Sequence, residues 1–148
     1  HFRQKKKGNW EIMEVVDKVA KKSYATDFQT SCALVKDSKI LITAYNNVIP
    51  FETYAMHYGL QKEKFFDPPN DLNHFDTNHA EVDILIKAQK NKLNLNGTSL
   101  FTNLLPCPPC ARMLCRTDIS EIVYKLDHSD GYAYNLLLKS GKKVRRMT

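Results

Sequence analysis

Residues 98–110 read TSLFTNLLPCPPC. The stretch 98–104, with its Thr, Leu and Phe content, is a strand. Pro106 and Cys107 then lead into a helix expected over roughly 108–116. A strand that turns at once into a helix is the opening of a crossover unit, so the neighbours decide the topology. Downstream, residues 120–125 (SEIVYK) form a strand, 131–140 a helix with Gly141 placed to end it, and 142–147 (KKVRRM) a last short strand. Upstream, a helix runs from His79 to about Asn91, with Asn78 as its cap and Val82, Leu85, Ile86 and Gln89 on its inner face.

Further upstream, residues 30–36 (TSCALVK) and 39–45 (KILITAY) flank Asp37-Ser38 and read as a β-hairpin. Asn9 caps a first helix over roughly residues 10–25, carrying Glu11 in its first turn. Trp10, Met13, Val16, Val19 and Ala20 recur on it at helical spacing. Residues 46–78 hold Pro50, Gly59, Pro68 and Pro69 and are irregular, with a short helix expected around Tyr54–Lys64. The order α-β-β-α-β-α-β-α-β makes an α/β fold with a mostly parallel sheet and helices on its faces. The hairpin supplies one antiparallel pair, and the helix between the last two strands makes that pair parallel.

The 148 residues fit a single domain over 1–148. Hydrophobic residues make up 43% and charged residues 26%, a globular balance. No apolar run approaches the ~20 residues of a membrane span, and no secretory pattern leads the first helix, so the expectation is a cytoplasmic protein. The net charge of +6 is carried at the two ends. Arg3, Lys5, Lys6 and Lys7 lie at one, and Lys142, Lys143, Arg145 and Arg146 at the other, which leaves residues 8–141 at −2. Basic ends of this kind are solubilising tails or contacts for nucleic acid; no aromatic residues interleave with the charges, which favours the former.

Four cysteines are present, and Cys107, Cys110 and Cys115 crowd into nine residues. With no secretion signal, Cys107 and Cys110 at Cys-x-x-Cys spacing read as metal-binding or redox rather than as a disulfide framework. His79-Ala80-Glu81 opens the second helix. One imidazole and two thiolates fill three corners of a tetrahedral zinc site and leave the fourth to water, the pattern of a catalytic centre. Glu81, two residues past His79, is placed near the metal without being a ligand and is the candidate proton carrier. A structural zinc would instead need a fourth protein ligand from Cys115, His74 or His128. Taken together, His-x-Glu followed by Pro-Cys-x-x-Cys matches the signature of zinc-dependent base deaminases.

On these residues the chain resembles the cytidine deaminase superfamily, and within it the deoxycytidylate deaminase branch. The resemblance runs from about Asn9 to Met147. It includes Trp10 at the head of the first helix, the Ala33-Leu34-Val35-Lys36-Asp37 strand and turn, and Ala44-Tyr45-Asn46-Asn47 in place of a Gly-Tyr-Asn-Gly motif. It implies a three-layer α/β/α sandwich around a five-stranded mixed sheet. It also implies one zinc per chain, since residues 46–78 contain His57 and His74 but no cysteine. The activity implied is hydrolytic deamination of a free pyrimidine nucleotide, dCMP to dUMP and ammonia. Asn46 inherits contact with the sugar, and Ala80, Pro106 and Tyr132 are candidate substrate-binding positions. Family members commonly assemble through helix faces, so a homo-oligomer is expected. The chain departs from the family pattern at Ala44, Asn47 and Asp83, which replace two glycines and an asparagine.

Tyr132 and Tyr134 follow the loop 128–131 and either stack on a base or simply pack. Arg112 and Arg116, four apart, either meet a phosphate or remain surface charges. Cys32 reads as a small core residue and Cys115 as helix filler. Two further readings compete: a deaminase of tRNA or single-stranded nucleic acid, and a catalytically silent, zinc-stabilised binding module.

Overall fold

The computed structural model describes residues 8–23, 29–47, 78–127 and 131–147. Its elements are α1 (Asn9–Ala20), β1 (Ser31–Lys36), β2 (Lys39–Tyr45), α2 (Ala80–Lys90), β3 (Ser99–Leu104), α3 (Pro108–Leu114), β4 (Glu121–Leu126), α4 (Tyr132–Lys139) and β5 (Lys143–Arg146). The expected helix at 54–64, His57, His74 and His128 lie outside the described residues.

The β1–β2 hairpin turns on Asp37 and Ser38, both at positive φ (53° and 62°). Two left-handed residues in a two-residue loop match the twist of the flanking strands. Pairing then slips between Leu34 and Val35, which face Ile42 and Ile40, so Leu41 bulges outward.

The strand order is β2-β1-β3-β4-β5. β3–β4 and β4–β5 are parallel, as the intervening helices require. β1, however, is antiparallel to β3 as well as to β2. The expectation of a single antiparallel pair is therefore corrected to two. The chain leaves β2, passes through α2 and returns as β3 beyond β1. β2 and β3 thus run the same way, and the strand between them opposes both.

Strand alternation divides the core between the two faces. Ala33, Val35, Phe101 and Val123 pack against Ile12, Met13 and Val16 of α1. Cys32, Leu34, Ala44, Leu100 and Ile122 pack against Ala80, Ile84 and Ala88 of α2, Ala111 and Leu114 of α3 and Leu137 of α4. The result is the expected three-layer sandwich, with one helix on one face and three on the other among the described residues.

Several local expectations shift. Gly8, not Asn9, caps α1, its N–H bonded to the Glu11 carboxylate at 3.1 Å. α1 stops at Ala20, where Lys21, Lys22 and Ser23 close tight bonds to residues three back. Trp10 is exposed rather than on the packed stripe. Asn78 does not cap α2; it exchanges both backbone hydrogen bonds with Asn47, and His79 takes the cap position. The inner face of α2 is Ala80, Ile84 and Ala88; of the expected positions Leu85 does pack against this core, Val82 and Ile86 are half-buried and Gln89 is exposed. Small residues on that stripe let the helix lie close to the sheet.

The C-terminal charges are not a tail. Lys142 is buried and its ammonium donates to the carbonyls of Thr117 (2.8 Å) and Ile119 (2.6 Å). Arg145 pairs with Glu121 at 2.6 Å, and Arg146 donates to the Lys125 carbonyl and lies over the Tyr124 ring. Three of those four cations are therefore committed to the sheet edge.

Candidate metal centre

Two helices begin at the same place. His79 is the N-cap of α2 and Cys107 the N-cap of α3, both with extended backbone, and neither side chain caps its own helix. Pro108 and Pro109 fill the first positions of α3, where a missing N–H loses no helical bond. The helix is thereby started at a fixed point, and Cys110 sits one turn from Cys107, with the Cys107 carbonyl accepting from the Ala111 N–H at 2.8 Å.

The His79 Nδ1 lies 3.6 Å from the Cys107 Sγ and 3.4 Å from the Cys110 Sγ. The three donor atoms all fall within 4.8 Å of one another. Zn–N and Zn–S bonds of about 2.05 and 2.3 Å at the tetrahedral angle require an N···S separation of about 3.5 Å. The donor set therefore fits a tetrahedral zinc ion in both chemistry and spacing. Ligation through Nδ1 requires the tautomer with its proton on Nε2. Among the described residues this is the one group of three or more His, Cys, Asp or Glu able to hold a metal.

The two thiols act on each other's ionisation. A hydrogen bond from Cys110 brings Cys107 down to about 4, with His79 adding to the fall against the opposing effect of burial. The same bond, and then burial, pushes Cys110 up. A cation among them displaces the proton that Cys110 keeps.

Glu81, in the first turn of α2, is buried. Burial raises its carboxyl from 4.5 to about 7; its own backbone N–H opposes the rise, the Cys107 thiolate adds to it and His79 offsets it. A carboxyl poised near neutrality beside a metal site can both take and give a proton. Cys32 is a core residue as expected, but it has a second task. Its thiol donates to the Ala80 carbonyl at 3.3 Å and so ties the start of α2 to the middle of the sheet.

The substrate-side candidates are placed as follows. Asn46 is fully buried at the end of β2, and its Oδ1 accepts from the Thr30 N–H at 3.1 Å. Ala80 and Pro106 are buried next to the ligands His79 and Cys107. Tyr132 is exposed at the first turn of α4, where its hydroxyl accepts from Arg112 at 2.8 Å. Tyr134 packs edge-on to Tyr124, with ring centroids 6.5 Å apart. Arg116 is exposed, and Cys115 is half-buried at the end of α3 with its thiol toward the Leu136 carbonyl.

Residues 6–126 match the family described as the cytidine and deoxycytidylate deaminase zinc-binding region. The chain belongs to this deaminase family. Among the relatives of this deaminase-family chain is the deoxycytidylate deaminase of Saccharomyces cerevisiae, 25% identical over 138 residues, which are 93% of this chain and 44% of the yeast protein. A probable deoxycytidylate deaminase of Drosophila melanogaster is 26% identical over 117 residues, 77% of this chain and 55% of that one. The chain thus spans about half the length of these relatives. The dCMP deaminase of cyanophage S-TIM5 superposes with a TM-score of 0.74 at 21% identity, covering 93% of this chain and 95% of that one. Its complex with dCMP and dUMP gives 0.73 at 20%. That likeness establishes the cytidine deaminase-like fold.

No sequence pattern announced the contacts of Asp83. Its carboxylate is buried on α2, accepts from the Asn47 Nδ2 at 3.4 Å and lies 3.7 Å from the Lys87 ammonium. The available signal was the joint departure of residues 47 and 83 from the family pattern.

Proposed function

We propose that residues 1–148 form one deaminase domain that hydrolyses the exocyclic amine of a cytosine nucleotide, converting dCMP and water to dUMP and ammonia. One observation carries the reading: a nitrogen and two sulfurs at zinc-ligand spacing, with the buried, near-neutral carboxyl of Glu81 two residues from the histidine. The names of the relatives, and the dCMP and dUMP held by the cyanophage protein, support the choice of nucleotide.

His79, Cys107 and Cys110 would hold one zinc. The ion, when bound, supplies the Lewis acidity that makes water a nucleophile near neutral pH. Glu81 takes the proton lost from that water. It hands the proton to N3 of the cytosine as C4 is attacked, and then carries the proton of the new C4 hydroxyl to the amine as the C4–N bond breaks, so that ammonia leaves and the C4 carbonyl forms. In this reading the buried backbone at Ala80 and Pro106 would wall the base, Asn46 would serve the sugar and Tyr132 would stack on the base.

The burial of Lys142 takes one of the C-terminal cations out of reach of a nucleic acid, while Arg145 and Arg146 stay exposed. The test is ammonia release from dCMP, deoxycytidine and a cytosine-containing oligonucleotide, each with zinc-loaded protein. Turnover of dCMP above the other two is the expected result. Turnover of the oligonucleotide alone would move the assignment to nucleic acid, and none from any of the three would leave a zinc-stabilised binding module.

A further inference from the structure

Among the described residues β2 is an edge strand, and no described strand pairs with the carbonyls on its outer side. Two of them are satisfied by side chains: Lys87 donates to the Thr43 carbonyl at 3.0 Å and Asn47 to the Tyr45 carbonyl at 2.8 Å. Both donors also reach Asp83, Asn47 Nδ2 at 3.4 Å and Lys87 Nζ at 3.7 Å. One buried carboxylate on α2 therefore stands between two donors that each grip the end of β2. Since both neighbours of the Asn47 Nδ2 are acceptors, the orientation of its amide is fixed. Its Oδ1 is buried with no hydrogen-bond partner among the described residues. An orphaned acceptor is tolerated where it secures an arrangement with another use.

That use lies one residue along the chain. The backbone of Asn47 exchanges hydrogen bonds with Asn78 (3.3 and 2.8 Å), and Asn78 leads directly into His79. The Asp83 N–H in turn donates to the His79 carbonyl at 3.0 Å. His79 is thus gripped on one side through Asn78 and on the other through the first turn of α2, and Asp83 with Asn47 joins the two grips.

We propose that Asp83, through Asn47 and Lys87, is a positioning residue that holds His79 at ligand distance from Cys107 and Cys110. The proposal rests on reading those three residues as the zinc ligands, and not on which substrate is deaminated.

Zinc affinity of the full chain, measured by competition with a chromophoric chelator, tests it without substrate. Asn47→Ala and Lys87→Ala should each weaken zinc binding about tenfold, the low end of what removing an outer support of a metal ligand does. Neither should weaken it further in an Asp83→Ala background, because the carboxylate through which they act is gone. Asp83→Asn should keep most of the affinity, since an amide oxygen still accepts from Asn47. Zinc affinity equal to the parent's in Asn47→Ala, whatever happens to the melting temperature of the chelator-treated protein, would overturn the proposal by reducing the contact to packing. Losses that multiply in the double variants would overturn it too. Failure of dCMP turnover with this affinity pattern intact would instead count against the proposed function alone.

Discussion

Replacing Glu81 by glutamine separates the two things this carboxyl does. In chelator-treated protein, burial lifts its ionisation from 4.5 to about 7. Between those values the folded chain keeps a proton that the unfolded chain has released, so stability falls as pH rises across this window. A shift of about 2.5 pH units at about 1.36 kcal/mol each is on the order of 3 kcal/mol. The amide has the same shape and does not titrate. Glu81→Gln should therefore match the parent near pH 4 and exceed it by up to about 3 kcal/mol at pH 8.5, about 10 °C in melting temperature for a domain of this size. Chemical denaturation at a series of pH values reads the difference directly. Zinc content should be unchanged, because Glu81 is not a ligand, while turnover of dCMP should fall by roughly 10²–10⁴, the share of a general acid–base group. A stability difference that did not open with rising pH would refute the buried-carboxyl account, and surviving turnover would refute the proton-carrier role.

Zinc binding near pH 7 should release protons from the Cys107–Cys110 pair and from Glu81, so affinity should rise with pH; calorimetry in two buffers of different ionisation enthalpy counts them. Cys110→Ser should lose most zinc affinity and abolish the stabilisation that added zinc gives the parent, which thermal melts with and without zinc will show. Lys142→Ala should cost about 1–3 kcal/mol in urea denaturation, because it orphans the Thr117 and Ile119 carbonyls. Burial works against ionisation of Glu121, but hydrogen bonds from Arg145 and Ser99 hold it below its usual range. Its contribution is present above pH 4.5 and fades as pH falls, so Arg145→Ala should cost under about 1 kcal/mol at pH 7 and still less near pH 3.

The metal centre was legible because its chemistry is local. Pro106, Cys107 and Cys110 fix one helix start, His79 and Glu81 another, and zinc's preferences join them. The element order was legible too, from periodicity and from Asp37-Ser38 in the hairpin. The placement of β1 between β2 and β3 was not, since strand order is settled by which faces pack and not by local pattern. The inner face of α2 was misjudged for a related reason: Val82 and Ile86 look like core, but the start of α2 has to present His79 to the thiols, and that sets the rotation that buries Ala80, Ile84 and Ala88. Asp83 was opaque because its partners, Asn47 and Lys87, belong to a strand end and a helix face that only the fold brings together.

A run of charges such as 142–146 invites trimming when a chain is prepared for study, or the attachment of a tag. Here a cut before Lys142 would delete the outermost strand and expose the parallel edge of β4. It would also withdraw the ammonium that plugs the turn between α3 and β4. A protein shortened in this way would put a bare strand edge into solution, ready to pair with another copy of itself.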